Sequence, residues 1–132
     1  MNRLTLSYDD DDPYYMMFIV KLESEHYSGR GQCWVGVSDL IAFGDKLLAY
    51  PIDAQAPPTL RYDHESGPAL LIEISPSDSI GNLECRLLLS DYYDSRNRLE
   101  AIVPTTYQAV AGLEQAVRRL AAPPHADEVV EL

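Results

Sequence analysis

Two apolar runs, residues 69–75 and 83–90, flank the segment Pro76-Ser77-Asp78-Ser79-Ile80-Gly81-Asn82. Turn-forming residues between two such runs specify an antiparallel hairpin. One register sets Leu70 opposite Leu89, Ile72 opposite Leu87 and Ile74 opposite Cys85, so that all six share a face. The same register sets Glu73 opposite Arg86 on the other face, a favourable cross-strand pair. A slip of one residue would turn the whole apolar set to water, so the register is strongly specified.

The flanking segments supply further elements. Residues 16–23 alternate, with Met16, Phe18, Val20 and Leu22 on one face, which describes a half-buried strand. Residues 27–37 form a second strand whose start is loosened by Gly29 and Gly31. Cys33, Val35 and Val37 share one of its faces and Trp34 takes the other. Ser38 then caps a helix with Asp39 in its first turn. Leu40, Phe43 and Leu47 make its apolar stripe, widened by Ile41 and Leu48, and Gly44 on that face allows close approach to a sheet. Pro51 ends the helix, and the stretch through Pro57-Pro58 is a loop.

Residues 59–63 and 98–103 read as two more strands. Thr105-x-x-Gln108 is a capping box that opens a second helix. Its stripe is Tyr107, Val110, Leu113, Val117 and Leu120, with Glu114 and Arg118 paired on the wet side, and Pro123-Pro124 stops it. The order β-β-α-β-β-β-β-α predicts an α+β fold. It is an antiparallel sheet of about six strands with two helices packed on it, in two layers.

With 132 residues the chain holds one domain. Its formal charge is −11, from 21 acidic and 10 basic residues. Such a balance excludes a nucleic-acid-binding module and disfavours docking on anionic membranes. The excess is uneven. Asp9, Asp10, Asp11 and Asp12 against Arg3 leave residues 1–12 at −3, and Asp127, Glu128 and Glu131 put residues 123–132 at −3 as well. The expected organisation is an acidic flexible segment at 1–12, an α+β domain at 13–122 and an acidic tail at 123–132. No apolar run approaches the ~20 residues of a membrane span, and the first residues lack the pattern of a secretory signal, so the expected compartment is the cytoplasm. Cys33 and Cys85 fall in apolar runs and read as small buried hydrophobes.

No motif marks a reaction. The run Gly29-Arg30-Gly31 to Gly36 has the wrong spacing for a dinucleotide loop and leads into a strand. A calcium loop starting at Asp9 would need glycine and glutamate where Tyr14 and Val20 stand. His26, His64 and His125 are scattered, so neither a metal nor another cofactor is expected. A Cys33/His26 dyad would need an exposed, electropositive thiol, which an apolar strand in an acidic chain does not offer.

The nine tyrosines say more. Tyr14-Tyr15 follows the four aspartates, and Tyr92-Tyr93 lies between Asp91 and Asp94. Neighbouring strand residues point to opposite faces, so each doublet can expose a ring. Tyr14, Tyr15, Asp91, Tyr92, Tyr93 and Asp94 are therefore the candidate contacts for a basic protein partner. The competing reading is that the rings are buried at sheet edges with only their hydroxyls wet.

The segment from Gly29 to Leu48, a Gly-rich turn, an aromatic strand and then Asp39-Leu40-x-x-Phe43-x-x-x-Leu47, carries a resemblance. Leu70-Leu71-Ile72-Glu73-Ile74, the turn at Gly81, the strand to Leu89 and the closing helix extend it over residues 16–120. This order resembles small uncharacterised bacterial proteins that include the immunity proteins accompanying wall-associated polymorphic toxins. The resemblance carries over no functional residue. It implies a non-enzymatic cytoplasmic protein that neutralises a toxin domain by contact. The alternative is a small ligand-binding or structural accessory domain, homodimeric through a sheet edge.

Overall fold

A computed structural model describes residues 1–9 and 16–132. Among them are β1 (Arg3–Asp9), β2 (Met16–Glu23), β3 (Ser28–Val35), α1 (Val37–Lys46), β4 (Thr59–His64) and β5 (Gly67–Pro76). They are followed by β6 (Leu83–Ser90), β7 (Arg98–Thr105), α2 (Tyr107–Ala121) and β8 (Glu128–Glu131). The architecture is α+β, with two helices and two antiparallel four-stranded sheets, ordered β3-β2-β1-β8 and β4-β5-β6-β7. The expected sheet of about six strands in two layers is thus two sheets of four. The additional strands are β1 and β8, from the ends of the chain.

Within the ends expected to be flexible, 1–12 and 123–132, the described residues Arg3–Asp9 and Glu128–Glu131 are strands, and residues 10–12 lie outside the described residues. Leu4, Leu6 and Tyr8 alternate into the core along β1, and Val130 of β8 is buried opposite Leu4. The Leu132 N–H donates to the Asn2 carbonyl at 3.0 Å, closing the ladder between the two ends. Burial of one large apolar side chain is worth about 1.5–3 kcal/mol, enough to hold a short acidic strand in place.

The central hairpin has the expected register. Leu70 faces Leu89, Ile72 faces Leu87, Ile74 faces Cys85 and Glu73 faces Arg86. The six apolar residues are all buried. The inner faces of both sheets and the apolar stripes of both helices merge into a single core. The sheets come into direct contact where β3 passes over β6 and β7. A Cβ on Gly31 would lie 2.8 Å from the Leu89 Cα, and one on Gly29 2.6 Å from Leu99 Cδ2. Glycine in β3 therefore serves sheet-on-sheet contact.

The helices pack against each other and fill the remaining side of the core, α2 along β1 and β8, α1 against β4. Gly44 consequently faces Val117 and Arg118 of α2, and not a sheet as expected. Leu40, Phe43 and Leu47 are buried, whereas Ile41 and Leu48 are exposed, because α1 touches the core along a narrower stripe than its composition suggests. The helix starts two residues early, so Val37, expected at the end of the strand, is its first residue. Gly36 is its N-cap and makes no side-chain cap, so Ser38 lies inside it. On α2 the cap is Thr106, whose Oγ1 accepts from the Ala109 N–H at 3.1 Å, while Thr105 completes β7. Glu114 does pair with Arg118, but it is buried, and Arg118 also reaches Asp45 of α1 at 2.8 Å. No helix among the described residues is long and apolar enough to cross a membrane.

Candidate functional site

The loop between β6 and β7 carries four of the six candidate contacts, and its acids build it. The Asp91 N–H donates to the Asn97 carbonyl at 2.9 Å, closing the strand ends. Asp91 Oδ1 accepts from the Tyr93 N–H at 3.0 Å, an Asx turn in which the side chain replaces a backbone acceptor. Asp94 repeats the device on the Arg96 N–H at 3.1 Å. The Arg96 guanidinium then closes on the same carboxylate, Nε at 2.9 Å from Oδ1 and Nη2 at 2.8 Å from Oδ2. These bonds favour the charged form and hold the Asp94 carboxyl down at about 2. Ser95 is buried behind the loop and donates to the Ser66 carbonyl at 3.0 Å, tying it to the turn between β4 and β5.

With the backbone held in this way, the aromatic rings are presented outward. Tyr92 stands edge-on to His64, ring centres 4.8 Å apart, and Tyr93 stands edge-on to Tyr92 at 5.1 Å. Such T-shaped pairs are favoured by the ring quadrupoles. Tyr92 is half-buried and Tyr93 is 86% exposed. The two rings, with Asp91 and Ser90, border a shallow hollow of about 220 Å³ whose opposite wall is Arg30 and Gln32 of β3. A partner would meet aromatic area, a cation and amide and carboxylate groups in one patch.

Tyr14 and Tyr15, with Asp10, Asp11 and Asp12, lie outside the described residues. Asp91, Tyr92, Tyr93 and Asp94 are brought together. Sequence reasoning missed Arg30, Gln32 and His64 as their neighbours. Arg30 sits in the glycine run that brings β3 over β6, so the packing of the two sheets joins it and Gln32 to the loop, whereas His64 ends β4 of the loop's own sheet and meets Tyr92 there.

A second polar cluster is structural. The Tyr8 hydroxyl donates to the Val35 carbonyl at 2.6 Å, and the Tyr62 hydroxyl to Asp39 Oδ2 at 2.8 Å. Burial, with the Asp39 charge nearby, pushes the Tyr8 phenol up to about 12 and raises Tyr62 as well. Burial likewise pushes the Cys33 and Cys85 thiols up to about 12, so both are uncharged at neutral pH. His26, the other half of the dyad weighed above, is exposed on the loop between β2 and β3 while Cys33 is buried.

No protein-family model matches the chain, and no curated protein matches it as a relative.

Proposed function

We propose that this chain is a non-enzymatic binding protein of the immunity type, acting in the cytoplasm, which neutralises a basic toxin domain by contact through the β6–β7 loop. The observation that carries the reading is Tyr93, 86% exposed at the tip of a loop whose backbone is fixed by its own carboxylates. An aromatic ring presented on a rigid turn contributes contact area at little entropic cost, as interface anchors do. The net charge of −11 supports a basic partner and fast, steered encounter. Within the loop the steering charge is Asp91, since Arg96 already neutralises Asp94.

The test is binding kinetics against a panel of basic toxin domains, over a salt series. Added salt is expected to slow association more than it speeds dissociation, because exposed charges act over about 8 Å at physiological ionic strength. Tyr93→Ala is expected to raise the dissociation rate about tenfold, which corresponds to ~1.4 kcal/mol. Association that is flat in salt, together with an unchanged dissociation rate for Tyr93→Ala, would reject both the partner chemistry and the contact.

A further inference from the structure

The outward face of the second sheet repeats its own complement. Read across β4, β5, β6 and β7, one row is Arg61, Leu71, Leu88 and Glu100. The next row is Thr59, Glu73, Arg86 and Ile102. The middle of this face is apolar and hollowed. A depression of about 370 Å³ is lined by Leu71, Leu88 and Ile102 beside Arg86 and Glu100. Ile102 is 54% exposed at its edge. Arg86 stands directly opposite Glu73 and is in no ion pair among the described residues, whereas Arg61 pairs with Asp63 at 3.4 Å and Glu100 with Arg98 at 3.8 Å, both at exposed positions.

We infer that this face binds a second copy of the chain, sheet against sheet, about a two-fold axis that runs along the strands between β5 and β6. That axis lays β4 over the other copy's β7 and β5 over its β6. In the first row Arg61 then meets the partner's Glu100, and Leu71 meets the partner's Leu88. In the second row Glu73 meets the partner's Arg86, and Thr59 covers the partner's Ile102. Every charge on the two rows finds its opposite, and the apolar centre lies on itself. An axis across the strands gives no such match, because it puts Leu71 over Glu73 and Leu88 over Arg86. A self-complementary patch is what an isologous dimer requires, and face-to-face sheets pack well about 10 Å apart.

The size of the patch sets the strength. Four strands about 4.8 Å apart make a face roughly 19 Å wide. Two such faces bury an area at the low end for specific complexes, so the dimer is concentration-dependent. The inference does not depend on the β6–β7 loop and stands or falls apart from the function proposed for it.

Sedimentation of the full chain across a concentration series tests it. The average mass is expected to rise from 14.8 kDa towards twice that value. Arg61→Glu puts acid against the partner's Glu100 at both ends of the row, and Glu100→Arg puts base against the partner's Arg61. Each variant alone is expected to associate at least tenfold more weakly. An equimolar mixture of the two restores opposite charges at both ends and is expected to recover wild-type association within about threefold. Glu73→Arg and Arg86→Glu form a second such pair, and an unchanged melting temperature shows that each variant is folded. A wild-type mass that stays at 14.8 kDa overturns the inference. So does a dimer indifferent to both single reversals, which would place the contact at a sheet edge. So do mixtures of both pairs that fail to recover.

Discussion

The two sheets have the same number of strands and the same antiparallel pairing, yet they are assembled differently. The second, β4-β5-β6-β7, is a meander in which every strand pairs with its neighbour in the chain. The first, β3-β2-β1-β8, is closed by pairing the two ends, with Arg3 opposite Glu131 and Leu4 opposite Val130. Local pairing leaves a signature in a short stretch of sequence, because turn and register appear together. Pairing across almost the whole chain leaves none. Folding cost differs in the same way, since a long loop must be closed before its contacts reward it. The sheets become one structure because β3 lies over β6, and the two helices complete a common core.

Large-to-small substitutions test whether the sheets are energetically equal. Phe18 in β2 and Ile72 in β5 are both fully buried. Phe18→Ala should cost about 3–5 kcal/mol and Ile72→Ala about 2–5 kcal/mol in denaturant unfolding. A large loss for Ile72 with a small one for Phe18 would mean that the first sheet is an adjunct to the second. Deleting residues 123–132 should cost less, about 2–3 kcal/mol, by exposing Val130 and leaving β1 as a bare edge. A truncated chain that melts with the full one would show that β8 contributes nothing.

The junctions separate next. A Cβ on Gly31 would press on the Leu89 backbone, so Gly31→Ala should destabilise by about 1–3 kcal/mol. A Cβ on Gly44 would sit 3.5 Å from Val117 Cγ1, an ordinary contact, so Gly44→Ala should stabilise the chain by about 0.5–1 kcal/mol through helix propensity. The contrast sharpens the view that the sheets are closer-packed at their junction than the helices are at theirs. Equal effects of the two alanines in thermal melts would remove it.

The smallest effects lie at the extremes of pH. Tyr8, in the first sheet, has a raised phenol. The stability it supplies is complete below the ordinary tyrosine value of ~10 and is lost as pH rises towards about 12. Asp94, beside the second sheet, has a lowered carboxyl. Its contribution is present above the ordinary value of ~3.9 and is lost as pH falls through about 2. In an NMR titration Arg96→Ala should move the Asp94 midpoint up towards that ordinary value. An unmoved midpoint would mean that the guanidinium does not hold it.

What the sequence revealed follows the same division. The register of β5 on β6 was legible because a slip would have exposed Leu70, Ile72 and Ile74 together. The stripe of α2 was legible from its spacing, although two adjacent threonines left its cap one residue out. The strand at Arg3–Asp9 was hidden by the acids that follow it, and its alternation of Leu4, Leu6 and Tyr8 is too short to stand out. Val130 signals nothing until Leu4 is placed beside it. In the candidate site, Tyr92 and Tyr93 announced themselves as an acid-flanked doublet. Arg30 and Gln32 could not, since their place beside the loop depends on how two sheets meet, and His64 could not, since it reaches Tyr92 from β4, two strands away from β6 in the same sheet. Asp94 looked like free surface charge, and only the geometry of Arg96 shows it to be a satisfied turn acceptor.

Native-state hydrogen exchange of the backbone amides most directly tests whether the chain ends and the meander belong to one cooperative core. Amides in the β1–β8 ladder, with the Leu132 N–H as its last bond, are expected to be protected by at least the ~2–3 kcal/mol that docking of β8 supplies, and those of β1 more strongly because β2 also holds them. Exchange of β1 and β8 at near-unprotected rates, while β5 and β6 stay protected to the global limit, would contradict the account and return the ends to the role of tails.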